Sequence, residues 1–415
     1  LPNLLSTQPG RRLLFAALYF SEGAPIGYIW WAVPTKLRAA GVPVADITAL
    51  TALVALPWMF KFLWAPLVDT WRGPRFGCRG WIMAAQLGMG LALLPLVRVN
   101  LAESLSLARG LLLTHAFCAA TQDVAVDAFC IGSITEREHG SINGWMQFGM
   151  LLGRSVFGGA ILYVERYIGE SYTLVLMIGC IWFSGILVFL AREPQQAREE
   201  SSAGHARRFF STLRAVFASS KTWLARLFAA TGGAAFESVG SVMRPLLIDK
   251  GLDQDAVGLF SAGPIVIGMA AGALLGGYFA DRFGHRRTVK WVGCALAVSV
   301  LSLAGALWFA GSSVLQLQVI IVLCHVLTGA FTAATYALFM DITDPALGGT
   351  QFSTFMSATN LCEIWAGAST GALVSQYGYA LPFVLMSAVG MLALLIVPRG
   401  SKAKMIDLTV RRPDH

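Results

Sequence analysis

Charge is scarce in this sequence. Only 13% of its 415 residues are Asp, Glu, Lys or Arg, about half the roughly 25% that a soluble chain carries. So little charge cannot coat a soluble globule of this length, which excludes a cytosolic enzyme and a disordered chain. Paired cysteines are missing too. The seven cysteines (Cys78, Cys118, Cys130, Cys180, Cys294, Cys324 and Cys362) are odd in number, form no CxxC and mostly sit in apolar runs. Neither a disulfide framework nor a metal site is expected from them. No phosphate-binding loop, dinucleotide fingerprint or Ser/His/Asp arrangement appears. The chain is therefore expected to use no cofactor and to catalyse no reaction. No cleavable leader is read either, because the first apolar run, from Leu13, is long enough to span a bilayer.

What the sequence has is hydrophobicity, 56% of residues with a mean hydropathy of +0.64, and 43 glycines. Crossing a bilayer takes about 20 apolar residues in a helix. Twelve such runs are expected, at 13–33, 46–68, 80–98, 108–133, 142–164, 172–191, 223–247, 257–280, 289–311, 315–341, 351–375 and 379–398. The long polar stretch 192–222 divides them six and six. The expected organisation is an N-terminal bundle over 1–191, a linker over 192–222, a C-terminal bundle over 223–399 and a tail over 400–415.

A net charge of +8 would suit a nucleic-acid partner if it were concentrated, but the basic residues lie in short groups between spans. With both termini inside, 22 of the 31 Lys and Arg fall on the cytoplasmic side and seven on the other, leaving Lys61 and Arg154 within spans. That bias matches the positive-inside rule. The halves also repeat weakly at an offset near 210: Asp69 and Asp281 follow the second and eighth spans, and His115 and His325 lie in the fourth and tenth. Parallel six-helix repeats joined by a polar loop describe the major facilitator architecture, with its substrate site between the halves near the midplane.

The loop Gly277-Tyr-Phe-Ala-Asp281-Arg282-Phe-Gly284-His-Arg286-Arg287 resembles the major facilitator signature GxxxD(R/K)xG(R/K)(R/K). A carboxylate and arginines at helix ends there are expected to hold one conformation shut, which makes Asp281, Arg282 and Arg286 gating candidates. The N-terminal copy keeps Asp69 but loses the first glycine and the following arginine. Asp69 is a gating candidate as well, and the symmetry of the gate stays open.

Charges inside spans are costly and usually functional. Glu22, Asp123, Asp127, Glu237 and Glu363 are the proton-coupling candidates. Asp123 and Asp127 are four apart and share a helix face; a static network with Lys61 or Arg154 is an equal alternative for them. Lys61 and Arg154 are candidates for binding substrate, as are the aromatics Tyr28, Trp58, Trp145, Phe236 and Trp365, each of which core packing or lipid contact would also explain. Gly23/Gly27, Gly149/Gly153, Gly268/Gly272/Gly276 and Gly367/Gly371 form small-residue faces for close helix contact. His115 and His325 read as hydrogen-bonded core residues, and Pro25, Pro57, Pro66 and Pro264 as sites where spans bend.

Four segments then carry a resemblance. Tyr19-Phe-Ser-Glu22-Gly-Ala-Pro25, Phe60-Lys61-Phe-Leu-Trp64-Ala-Pro66-Leu-Val-Asp69, Ala120-Thr-Gln122-Asp123-Val-Ala-Val-Asp127 and Gly349-Thr-Gln-Phe352 are similar to the AmpG-type muropeptide permeases and related acetyl-CoA transporters. Lys61, Asp123 and Asp127 belong to that group's signature. AmpG permeases commonly carry more than twelve spans, and the length, the Glu22-containing opening and the short tail look more like the RhtX/FptX-type siderophore permeases. The resemblance implies proton-coupled import of a ferric siderophore, pyochelin-like or rhizobactin-like. The alternative is a muropeptide, and a non-transporting sensor with a transporter fold is a third reading. The expected protein is an all-α polytopic monomer of the bacterial inner membrane. Its expected partners are a small-molecule substrate, protons and membrane lipid, with no nucleic acid.

Overall fold

The computed structural model describes residues 3–71, 76–99, 101, 103–192, 210–211, 213–214, 216–217, 220–308 and 312–399. Most of the expected linker, the tail 400–415, and Arg72 and Arg75 of the orientation count lie outside the described residues. The described chain is helical almost throughout and contains no strand.

Twelve spans follow in order. The first comprises Gln8–Gly27, a π turn at Tyr28–Ala32 and Val33–Ala39. Thr7 caps it, its hydroxyl accepting from the Gly10 amide at 3.2 Å. The second comprises Val44–Phe60, a 3-10 turn at Lys61–Leu63 and Ala65–Thr70. The third, Gly77–Leu93, ends in the 3-10 turn Leu94–Val97; the fourth is Leu105–Ser133. The fifth comprises His139–Ser155, a π turn at Val156–Ala160 and Ile161–Ile168, and the sixth is Glu170–Phe189. The seventh comprises Ser220–Gly232 and Ala234–Asp249; the eighth comprises Gln254–Phe260, a π turn at Ser261–Ile265 and Val266–Phe283. His285–Trp308, Val314–Ile342, Gly348–Tyr377 and Ala380–Ala393 complete the set.

Six of these, the second, third, sixth, eighth, ninth and tenth, contain stretches long and apolar enough to cross a membrane on length and composition alone. The others are broken, carry polar residues or, as the twelfth, are short, and they include the first, fifth, seventh and eleventh spans, where most of the candidate site residues lie. Span edges fall within a few residues of expectation, usually further out. The prolines act where expected: Pro25 precedes the first π turn, Pro264 sits inside the third, and Pro66 opens the helix after the 3-10 turn. Proline lacks the N–H that an α-helix needs and crowds the preceding turn, so it is tolerated where the helix changes its winding.

Glycine sets the closest packing. The first and fifth spans lie backbone to backbone: a Cβ on Gly149 would strike the Ala16 carbonyl, one on Gly23 the Met150 carbonyl, and one on Gly27 the backbone of Arg154. The eighth and tenth spans repeat this contact through Gly272 and Gly276 against Val326 and Ala330, and Gly329 against Met269. Lipid is as apolar as leucine, so membrane helices gain from close backbone approach. Gly371 departs from the expectation, with open space where its Cβ would lie, and Gly367 has only ordinary contact with Ser241.

The halves meet through few elements. The second and fourth spans pack on the eleventh, and the fifth packs on the eighth and tenth. The segments Val33–Ala39, Ile161–Ile168 and Gln254–Phe260 pack chiefly within their own halves. The interface thus lies at one end, and the halves part toward the other. The joined end also holds the Arg11–Glu138 ion pair at 2.7 Å, the contact of Asn3 with Arg192, and that of Arg286 with the Val397 carbonyl. The parted end holds Lys36 between Glu165 and Glu170, the Arg109–Asp46 pair, and Tyr379 on Asp249.

Candidate functional site

The second span interrupts its α-helix at Lys61, and the 3-10 turn there directs the side chain inward. Lys61 is 1% exposed and forms an ion pair with Asp123 of the fourth span. One turn on, Asp127 accepts the Tyr19 hydroxyl at 2.6 Å. Glu22, one turn from Tyr19 on the first span, accepts the Trp58 indole N–H at 3.1 Å. Lys61 lies within electrostatic reach of all three carboxylates, so one ammonium serves three acids. Only Asp123 pairs with it directly. The second oxygens of Glu22 and Asp127 are buried without a hydrogen-bond partner among the described residues. A dry carboxylate lacking a cation and a donor is costly, whereas the neutral acid is not. The cluster thus sets two acids, each with one unpartnered oxygen, around the Lys61–Asp123 ion pair.

The C-terminal half contributes a second group. Glu237 of the seventh span and Glu363 of the eleventh lie close enough to repel each other. Glu363 is exposed, yet it falls four residues after Thr359, which bonds the Tyr336 hydroxyl, so it shares the inward face. Tyr336 is within electrostatic reach of Glu237, Asp123 and Arg154. Charges from both halves therefore converge in the cleft. Arg154 makes no ion pair among the described residues, and its Nε lacks a partner.

Several sequence candidates are placed elsewhere. Tyr28 is fully buried near the parted end, where its hydroxyl meets Glu170 at 2.9 Å, and Lys36 lies over its ring. It does not reach the cleft. Lys61, expected to bind substrate, is consumed by Asp123. Trp145 packs edge-on against Phe148, Phe236 packs on Phe331, and Trp365 donates to the Ala230 carbonyl at 2.7 Å. Trp58 stays with the cluster, with Trp30 edge-on at 5.6 Å. His115 and His325 bond backbone carbonyls, as expected of core residues. No group of three metal-ligating side chains occurs among the described residues.

At the joined end, two carboxylates clamp the halves. Asp281, at the end of the eighth span, accepts the backbone N–H groups of Gly140 and Ser141, both at 2.7 Å, at the start of the fifth. Asp69, at the end of the second, accepts those of Gly349 at 3.0 Å and Thr350 at 2.6 Å, at the start of the eleventh. Each acid satisfies orphan donors at a helix N-terminus and faces its positive dipole end. The clamps are thus symmetric: the interaction needs only the carboxylate, not the missing glycine or arginine. Arg282 and Arg286 do not join the halves. Arg282 is exposed beside the Tyr278 hydroxyl, and Arg286 bonds its own half.

Sequence reasoning missed Tyr19, His139, Asp341 and Thr350. Tyr19 and Thr350 stand inside segments already recognised as a pattern, and their neighbours Glu22 and Gly349 carried the signal. His139 and Asp341 had none.

A family model described as Major Facilitator Superfamily matches residues 15–298 and 233–407. The anhydromuropeptide permease of Escherichia coli (strain K12) is 26% identical over 407 residues, covering 94% of this chain and 80% of that protein. A Rickettsia conorii protein described as an AmpG 4 transporter is 23% identical over 391 residues, covering 91% of this chain and 93% of its own. Among solved structures, the proton:xylose symporter XylE superposes with a TM-score of 0.71 at 11% identity, covering 94% of this chain and 95% of that one. A bacterial homologue of the iron transporter ferroportin superposes with a TM-score of 0.66 at 18% identity, covering 93% and 96%. The match to the family model takes in nearly all of both bundles, and the chain belongs to the Major Facilitator Superfamily.

Proposed function

We propose that this protein imports a muropeptide-type substrate across the bacterial inner membrane, driven by protons. The observation that carries the coupling is the buried cluster in which Lys61 faces Glu22, Asp123 and Asp127, with one oxygen each of Glu22 and Asp127 unpartnered. Proton loss from either acid places an uncompensated charge in a dry site. That cost differs between conformations, which is what coupling requires. The alignment along most of the Escherichia coli anhydromuropeptide permease supports the substrate class. The ferric-siderophore reading rests on the compact length together with the Glu22-containing opening. Compactness does not separate the two, since this chain aligns with 93% of the Rickettsia AmpG-type protein.

Under this reading the joined end, rich in Lys and Arg, is cytoplasmic. The conformation described is then closed to the cytoplasm, with Arg154, Glu237 and Glu363 offering charges of both signs to a substrate entering from the periplasm. Rocking of one bundle against the other transfers the site.

The test is uptake of radiolabelled anhydromuropeptide into cells lacking their own permease and carrying this one, with labelled ferric pyochelin in parallel. Accumulation of the muropeptide that collapses when the proton gradient is dissipated is the expected result. Accumulation of ferric pyochelin alone overturns the substrate assignment. Full uptake without a proton gradient overturns the coupling.

A further inference from the structure

The clamp made by Asp281 extends into a cluster that the transport reading does not use. His285 opens the ninth span immediately after Gly284, whose φ of 92° turns the chain back from the eighth. Its Nδ1 lies 2.5 Å from Asp341 Oδ2, and its Nε2 lies 3.2 Å from Asp281 Oδ1. Both ring nitrogens thus face carboxylate oxygens. A neutral imidazole has one N–H and can satisfy only one of them; the imidazolium satisfies both. The other oxygen of Asp341 meets His139 Nδ1 at 2.9 Å. His139 belongs to the opposite half and precedes Gly140 and Ser141, the amides held by Asp281. The two imidazoles stack at 6.4 Å with 22° between their planes.

We infer that His285, with Asp281 and Asp341, is a proton-binding site, and that the bound proton locks the two halves together at this end. The chain of contacts gives the reason. With His285 doubly protonated, it links the two acids, and each acid grips the N-terminal half, Asp281 through two backbone amides and Asp341 through His139. Without that proton, one acid loses its bond to His285, and the two half-buried carboxylates face each other across a neutral ring. Parting of the halves removes His139, Gly140 and Ser141 and exposes the acids to water, so the proton is held more weakly in the open form. By linkage, protonation favours closure and its loss favours opening.

His285 is the titratable base at the centre of this cluster, and charged groups face it from each element packed around it. Asp281 approaches from the eighth span, Asp341 from the tenth, and His139, beside the Arg11–Glu138 pair, from the fifth. Arg286, Arg287 and Lys290 lie on its own helix. A cavity of about 400 Å³ lined by Gly284, His285, Arg286, Arg287, Lys290 and Asp341 reaches the pair from the surface. A proton entering and leaving by that cavity returns to the compartment it came from, so it does no transport work. It sets the fraction of molecules that are closed. The identification of that compartment as the cytoplasm, and hence of the site as a sensor of cytoplasmic acidity, rests on the orientation proposed above.

The experiment needs no substrate, so it is independent of the muropeptide reading. Nitroxide labels are placed at Glu136→Cys and Phe283→Cys on the full-length protein, with the seven native cysteines replaced by alanine. Distances are read by double electron–electron resonance from pH 6 to pH 8.5. The open-to-closed ratio is expected to rise about fivefold or more across that range, within the roughly tenfold per pH unit that one linked proton permits. His285→Arg, a permanent cation, should stay closed throughout, and His285→Gln should open with no pH response. A flat ratio in the parent protein overturns the inference without recourse to either variant. So does a pH response that His285→Gln retains in full, because the titrating group is then another one.

Discussion

Asp69 and Thr350, 281 residues apart in sequence, are joined twice at one oxygen: Asp69 Oδ2 accepts both the backbone N–H and the hydroxyl of Thr350, each at 2.6 Å. Hydrogen bonds to a charged acceptor contribute about 1.5–3 kcal/mol each, so this contact between halves is graded by design. Thr350→Val removes the hydroxyl bond and should raise the open population at this end about tenfold. Asp69→Asn disturbs both bonds and should raise it further. Distances between nitroxide labels at Glu136→Cys and Phe283→Cys read the effect. Equal distance distributions in both variants and the parent would deny Asp69 any part in closure.

The Lys61–Asp123 pair is predicted to be structural. Asp123→Asn leaves a buried ammonium without its counterion, which costs about 3–5 kcal/mol in comparable buried pairs. Replacing both partners, as Lys61→Met with Asp123→Leu, removes the uncompensated charge and should recover most of the lost thermal stability in detergent. A double variant no more stable than Asp123→Asn alone would show that the pair is not what holds these spans.

Glu22 and Asp127 should behave differently. Glu22→Gln keeps an oxygen for the Trp58 indole, and Asp127→Asn keeps one for Tyr19, so both variants should fold. Each removes a titrating group. Accumulation against a gradient should fall at least tenfold, while exchange of substrate at equal concentrations on both sides persists. Concentrative uptake at the parent rate would remove the residue concerned from the coupling.

Arg154 and Glu237 have no ion pair to lose among the described residues. Arg154→Gln and Glu237→Gln should therefore leave the melting temperature within about 2 °C of the parent, since a change near 0.5 kcal/mol moves a chain of this size little. Transport should still weaken through KM. A large fall in melting temperature with unchanged KM would assign both residues to packing.

Glycine gives a contrast pair. Gly149→Val drives a side chain into the Ala16 backbone, and overpacking of this kind costs about 1–3 kcal/mol or more. Gly371→Ala enters open space and should be neutral or slightly stabilising in its helix, where alanine outranks glycine. Melting curves of the two variants separate a packed glycine face from one that only looks like it in sequence.

These residues also show how far the sequence could be read. Span positions were legible because hydropathy is local, and Asp281 because a charged turn between apolar runs has a recognisable form. Asp69 was legible as a residue but not as an equal partner of Asp281. Its missing glycine and arginine weakened the motif, while the contact itself depends on a carboxylate meeting backbone amides far along the chain. Backbone donors leave no trace in a pattern of side chains. The same holds for His139 and Asp341, which acquire meaning only by facing His285. Tyr28 was misplaced because its partners, Glu170 and Lys36, are met through packing that an aromatic's place in one segment does not show. The buried carboxylates were legible as a set. Which of them Lys61 would take was a matter of distance.

The three π turns, at Tyr28–Ala32, Val156–Ala160 and Ser261–Ile265, each lie between the clamped part of a span and its segment at the parted end. A helix that winds one residue too many into a turn sets everything beyond it off by about 100°. Loss of a single codon within such a turn would let the helix run straight and present a different row of side chains at the mouth of the cleft. The clamps at the far end would be untouched. Relatives of this chain are expected to differ by one-residue gaps at these three places, and through them to vary what the entrance admits while conserving how the halves close.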